Sequence, residues 1–163
     1  MKNRKILSID PSGSGTTALY FLNEDNNEEM FRSFNSKHWK DHFLYIKKFC
    51  EEEKIDFIIY ETTNFIKVKN KDLTSLFKLF GTIETIPYTS KTVKNCETIF
   101  VREVKMLQKK IKEGLPESKI NLKFIPGRGG GWFRNKQKIN IHEADAFIIF
   151  YCYHNRIKST QKG

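Results

Sequence analysis

The sequence predicts an α/β fold, a central five-stranded mixed sheet flanked by helices, in one domain spanning residues 1–163. Three observations carry this. Two short apolar runs of strand length, Lys5–Asp10 and Ile55–Glu61, both end on a carboxylate. Between them, Ala18–Leu22 and Met30–Phe34 are spaced as returning antiparallel strands, and an amphipathic helix follows. The chain then closes on a helix, His142–Tyr153, that is apolar on every side after its first turn and so must be buried.

In order, Lys5–Asp10 is a buried strand with Ile6, Leu7 and Ile9 apolar, and Pro11–Thr17 is a Gly/Ser turn. Asn23–Asn27 is a second, polar turn. His38–Lys54 reads as helix because Trp39, Phe43, Ile46 and Cys50 recur at spacings of four, three and four. Strand, hairpin, hairpin, helix, strand is the opening half of a ribonuclease H-like fold. There the first and fourth strands are parallel neighbours, which sets Asp10 and Glu61 about 5 Å apart across the sheet.

Asn70–Ile83 is a second helix whose apolar residues cover about half its circumference, wider than one sheet contact needs. The surplus near Leu79 and Ile83 predicts a two-fold interface and a homodimer. Cys96–Lys112 reads as a third helix, with Arg102, Lys105, Lys109 and Lys112 opposite its apolar face and Gly114 and Pro116 ending it. Asn121–Pro126 is the expected fifth strand, Gly127–Lys138 a Gly-rich loop, and the tail 155–163 is polar and frayed.

The formal net charge is +10, from 29 Lys/Arg and 19 Asp/Glu, and its placement is uneven. Residues 62–140 carry 17 basic side chains against six acidic ones, so the whole excess lies in one central block, as a face that meets a polyanion requires. Arg128, Arg134, Lys136 and Lys138 in the Gly-rich loop are the expected phosphate contacts, with Trp132 or Phe133 stacking on a base. Cys50, Cys96 and Cys152 form no metal-like pair and read as reduced thiols. The longest apolar run, Ala146–Tyr153, is too short to span a bilayer, so the expectation is a cytoplasmic, nucleoid-associated protein with no membrane partner.

An acid ending a buried strand is costly unless a positive charge sits against it. Asp10, Glu61 and Asp145 converge if the last helix returns its first turn to the sheet, where His142 shares Asp145's face and Glu143 is turned about 100° away. Three such carboxylates repel one another unless divalent cations neutralise them. Two ions about 3.5–4 Å apart would activate a water and stabilise the leaving oxygen of a phosphodiester. The expected cofactor is Mg²⁺ or Mn²⁺. His142 either ligates one ion, favouring Mn²⁺, or positions the water.

With these residues named, the chain resembles the RuvC-like Holliday junction resolvases. The resemblance rests on Ile9-Asp-Pro-Ser-Gly-Ser-Gly-Thr-Thr17, Ile59-Tyr-Glu61, His142-Glu-Ala-Asp-Ala146 and Asn64-Phe-Ile-Lys-Val-Lys-Asn70. It implies a homodimer that binds four-way DNA and nicks two opposing strands, with Asp10, Glu61, His142 and Asp145 as metal ligands. It also implies Phe65 as an aromatic at the crossover, with Lys67 and Lys69 after it as further DNA contacts. Tyr88–Lys94 resembles a family segment ending in Val-Lys, which would make Lys94 a lysine near the scissile phosphate. That match would move the fifth strand to Thr85–Thr89 and leave Gly114–Asn140 as an insertion.

The function expected is therefore a metal-dependent, structure-selective DNA endonuclease acting on branched DNA. Its rivals are a ribonuclease H-class nuclease on RNA/DNA hybrid and a non-catalytic basic protein of the same fold. An actin-like ATPase would need two lobes, for which 163 residues are too few.

Overall fold

The computed structural model describes residues 4–63, 71–114 and 120–160. Its main sheet has the order β3-β2-β1-β4-β5. These strands are β1 (Lys5–Asp10), β2 (Thr16–Asn23), β3 (Glu28–Asn35), β4 (Phe57–Thr62) and β5 (Asn95–Phe100). β1 pairs antiparallel with β2 and parallel with β4, and β4 pairs parallel with β5. The register Ile9↔Tyr60 makes Asp10 and Glu61 the next residues on adjacent parallel strands.

Strand alternation decides where those carboxylates point. Leu7, Ile9, Ile58 and Tyr60 pack on one face, against α1 (Trp39–Glu53) and α2 (Lys71–Thr89). Ile6, Phe57 and Ile59 pack on the other, against α3 (Val101–Lys112) and α4 (Ile141–Thr160). Asp10 and Glu61 share parity with the second set, so both emerge toward α3 and α4. The turn after Asp10 is docked on α2. A Cβ at Gly13 would stand 2.4 Å from the Leu76 backbone nitrogen, and Ser14 donates to Asp72 at 2.7 Å.

The fifth strand is neither of the two expected segments. Thr85–Thr89 is the last part of α2, which runs two turns past Ile83 and contains Pro87. Asn121–Pro126 does supply a strand, β6 (Leu122–Ile125), but it joins β7 (Gly131–Arg134) and β8 (Gln137–Ile139) in a separate three-stranded meander. β5 takes the segment read as the start of the third helix. Phe100 sits four residues before Val104 and so fits the helical period, yet it is the residue from which the chain turns into α3. The last helix also continues to Thr160, where the sequence suggested a frayed tail from Asn155. Arg156 there bonds Glu103 at 2.7 and 3.0 Å.

Leu79 and Ile83 are both 0% exposed, packed with Ile46, Phe49 and Cys50 of α1. The broad apolar arc of α2 is consumed by the sheet on one side and by α1 on the other, which removes the sequence-based reason for a dimer through these residues. Leu79→Glu is accordingly expected to leave no folded protein rather than a folded monomer. Leu79→Ala should cost about 2–5 kcal/mol in a urea melt. A stable Leu79→Glu protein with an unchanged melt would contradict this packing.

Candidate active site

α4 is placed by its own first turn. Asn140 and Glu143 form a reciprocal cap, with the Asn140 amide donating to Glu143 Oε2 and the Glu143 amide to Asn140 Oδ1, both at 2.9 Å. Ser33 on β3 donates to Glu143 Oε1 at 3.2 Å and accepts from Asn140 Nδ2 at 2.9 Å. Glu143 is thus occupied in fixing the helix start, which leaves His142 and Asp145 to face the sheet. Ala144 and Ala146 are fully buried, and their small side chains let the helix lie close on it.

His142 Nδ1 lies 3.0 Å from Asp10 Oδ2. Asp145 Oδ1 accepts a hydrogen bond from the buried Gln108 side-chain amide, and its Oδ2 lies 4.0 Å from Lys105 Nζ. Lys105 and Gln108 are three residues apart on α3 and so share the face turned to the acids. The site is therefore assembled from four elements, β1, β4, α3 and α4.

Its electrostatics are those of negative charge held together out of water. Burial, then the charges of Asp10 and Asp145, push the Glu61 carboxyl up to about 7, with Lys105 opposing. Burial and Asp10 push Asp145 up to about 6, against Lys105, Gln108 and His142. Asp10 is raised by burial despite its bond to His142, and His142 is raised chiefly by that same bond. Lys105 appears in every one of these balances as the nearby cation.

The donor set suits a hard divalent cation, since burial raises the proton affinity of all three carboxyls, their charges raise that of Glu61 and Asp145 further, and Lys105 offsets only part of it. As the side chains lie, Asp10 is turned to His142 and Asp145 to Gln108 and Lys105. Among the described residues no three His, Cys, Asp or Glu side chains surround a common point as ligands. The chemistry of the donors fits, and closing them round an ion requires those carboxylates to leave their present partners.

The other residues singled out in the sequence fall in different places. Phe65, Lys67 and Lys69 lie outside the described residues. Lys94 precedes β5, at the end of the parallel strands away from the acids, and its ammonium is 3.9 Å from Asp56. Another Val-Lys in the chain is Val104-Lys105, and that lysine lies beside the carboxylates. Trp132 is 3% exposed and packs against Phe124 in the core, so it presents no face to a base. Arg134 is bound to Glu29 at 2.6 and 3.2 Å and lies 4.2 Å over the Phe147 ring, bracing the meander against the sheet rather than meeting phosphate. Arg128, Lys136 and Lys138 are exposed. Lys136 sits in the β7–β8 turn, at the opposite end of the meander from the glycine turn that carries Arg128.

No protein-family model matches the sequence, and no curated protein does. The structure, in contrast, aligns with that of Thermus thermophilus RuvC in complex with a Holliday junction substrate, covering 95% of this chain and 96% of the other at a TM-score of 0.63. The chain has the RuvC fold. Sequence identity over that alignment is 12%, so the likeness to RuvC is one of fold. A second Thermus thermophilus RuvC structure aligns over 94% of this chain and 96% of the other, at a TM-score of 0.55 and 13% identity. Relative to what the sequence suggested within this fold, α3 is the unforeseen contributor. Gln108 left no signal beyond a polar residue interrupting the helix's apolar stripe. Lys105 was legible as part of the basic face, but not as a neighbour of Asp145. Among the described residues no helix is long and apolar enough to cross a membrane.

Proposed function

We propose that this chain is a metal-dependent endonuclease that hydrolyses phosphodiesters in four-way or other branched DNA. The observation that carries the reading is the site itself on this fold. Carboxylates end two adjacent parallel strands, a His and an Asp from the first turn of α4 lie against them, and Lys105 stands at the rim. The RuvC structure aligned above is a complex with a Holliday junction substrate, which supports branched DNA as the partner.

Asp10, Glu61 and Asp145, with His142, are the residues that would hold Mg²⁺ or Mn²⁺, as two ions. Bound there, the metal would supply Lewis acidity at the phosphoryl oxygen and a water of lowered pKa. The chain's own groups supply the rest. The Lys105 ammonium, at the rim, offsets the charge of an approaching phosphate and that of the acids. In the metal-free protein Asp10 is bonded to His142 Nδ1 and Gln108 holds Asp145. With Asp10 and Asp145 turned to an ion, His142 would be left to ligate it or to position a water. Each chain has one such cluster, so paired nicking of opposing strands calls for two copies acting together, whichever surface joins them.

The test is a gel assay on four-way, three-way, flap and RNA/DNA hybrid substrates, with and without Mg²⁺ or Mn²⁺. Cleavage confined to branched DNA and dependent on the metal is expected. Cleavage of hybrid alone would move the protein to the ribonuclease H class, and binding without cleavage would make it a non-catalytic relative. Within the same assay Lys105→Ala should lower the cleavage rate by on the order of 10²-fold, as removal of one charge-stabilising donor does. Lys94→Ala, at the far end of the strands, should leave it unchanged. The reverse result would return the scissile phosphate to Lys94.

A further inference from the structure

The β6–β8 meander has two unlike faces. Leu122, Trp132 and Ile139 are buried in the core below it, and Phe124 packs against them. Pairing sets Lys123 opposite Phe133, and Phe133 opposite Lys138. Side chains directly paired across antiparallel strands share a face, so these three form one row on the outer side. Phe133 is half-buried, with an exposed lysine about 5 Å to either side, one strand spacing away. Ile125, 39% exposed, shares the parity of Lys123 and extends the same face.

The end of this face is shaped for cations as well. Lys138 lies across Gly131, where a Cβ would stand 3.3 Å from its Cε, and its ammonium donates to the Gly129 carbonyl at 3.2 Å. That brings its charge to the turn bearing Arg128. Gly127 and Gly129 hold φ of 91° and 80°, and a Cβ on Gly130 would come within 2.1 Å of the Ile125 carbonyl oxygen, so the turn is tight and specified by glycine. The row and the turn hold no acidic residue.

We propose that this outer face binds single-stranded nucleic acid, with one base stacked on Phe133, flanking phosphates on Lys123 and Lys138, and the strand continuing past Arg128. An aromatic ring takes a base face only where the base has left its own stack, and such platforms pair aromatics with cations along the backbone. A duplex keeps its base faces covered and gains only the lysines. This rests on the nucleic-acid reading above, but not on cleavage.

The full chain is titrated in EDTA against a fluorescent twelve-nucleotide oligo-dT and against a duplex of equal length. Phe133→Ala and Phe133→Leu should each weaken oligo-dT binding by on the order of tenfold. Both should leave duplex affinity within about twofold, and Phe133→Tyr should bind oligo-dT as the wild type does. Phe133→Leu preserves the apolar packing, so its loss reads the ring rather than the fold. Lys123→Ala with Lys138→Ala should flatten the log K against log salt slope by about 1.4, at roughly 0.7 per single-strand contact. Phe133→Leu binding oligo-dT unchanged, equal losses on duplex, or competition by oligo-glutamate as strong as by oligo-dT would each overturn the platform. A wild type that binds oligo-dT in this way but cuts no branched DNA would remove the endonuclease reading alone. One that cuts while every Phe133 variant binds normally would remove the platform alone.

Discussion

Asp10→Asn is expected to abolish cleavage of a four-way junction, with a loss on the order of 10³-fold or more, while junction binding persists. Asp10 ends β1 beside Glu61 and under His142, so the change removes one carboxylate charge and keeps the shape. The same holds for Glu61→Gln and Asp145→Asn. What makes the expectation distinctive is its companion on stability. Metal-free, Asp10 raises both Glu61 and Asp145, so neutralising any one of them relieves repulsion in a poorly solvated place. The inactive variants should therefore melt higher than the wild type in EDTA, and metal-free DNA binding should tighten. Single-turnover gel assays and thermal melts read the two effects together. Substantial cleavage by Asp10→Asn in Mg²⁺ would remove this cluster from the chemistry. A lower melting temperature for all three variants would mean that the carboxylates are compensated in the metal-free protein.

The second large effect is a stability that falls as pH rises. Glu61, at about 7 in the folded chain, and Asp145, at about 6, both lie above the ordinary carboxylate range, and Asp10 is raised as well. A carboxyl with a raised folded pKa binds more protons in the native state than in the unfolded one. Stability then declines from the unfolded pKa, near 4–4.5, up through the folded value. His142 acts in the same direction. Its folded pKa is raised by Asp10, so its contribution is present below the unfolded value and lost as pH passes the folded one. In EDTA the melting temperature should drop from about pH 4.5 to beyond pH 7, most steeply near pH 5 to 6, where both carboxyls are protonated in the folded chain and ionised in the unfolded one. Glu61→Gln should flatten the upper part of that fall. Mg²⁺ or Mn²⁺ should reverse it, because a cation binds the deprotonated carboxylates and displaces their protons. A melt that rises over this range, or that ignores divalent ions throughout, would contradict the site's electrostatics.

Much of this molecule is written in local pattern. Ile6-Leu7-Ser8-Ile9 and Phe57-Ile58-Ile59-Tyr60 declare buried strands by apolar content and length, and the acids that follow each are adjacent in the chain to those runs. The helix His38–Lys54 and the closing helix are equally plain, because the backbone repeat alone places their apolar residues on one side or on all sides. His142 and Asp145 share a face for the same reason.

What pattern leaves open is the identity of the neighbour. The edge strand Asn95–Phe100 meets the sheet on one side only, so its residues carry little of the apolar signal that marks a central strand. The end of a neighbouring helical period then absorbed it. The wide arc of α2 is the same for a residue covered by another subunit and for one covered by α1, and only packing showed that Leu79 and Ile83 belong to the chain's own core. Trp132 and Phe133 are successive aromatics in one strand, so one must face in and the other out, and the phase is set by pairing with β6 and β8. Lys105 is one lysine among several on a basic helix until α3 is laid beside α4 and its ammonium comes near Asp145. Backbone periodicity repeats over a few residues and is fixed by the chain itself. Which surface meets which face depends on contacts between segments far apart in sequence, and those exist only once the layers have closed.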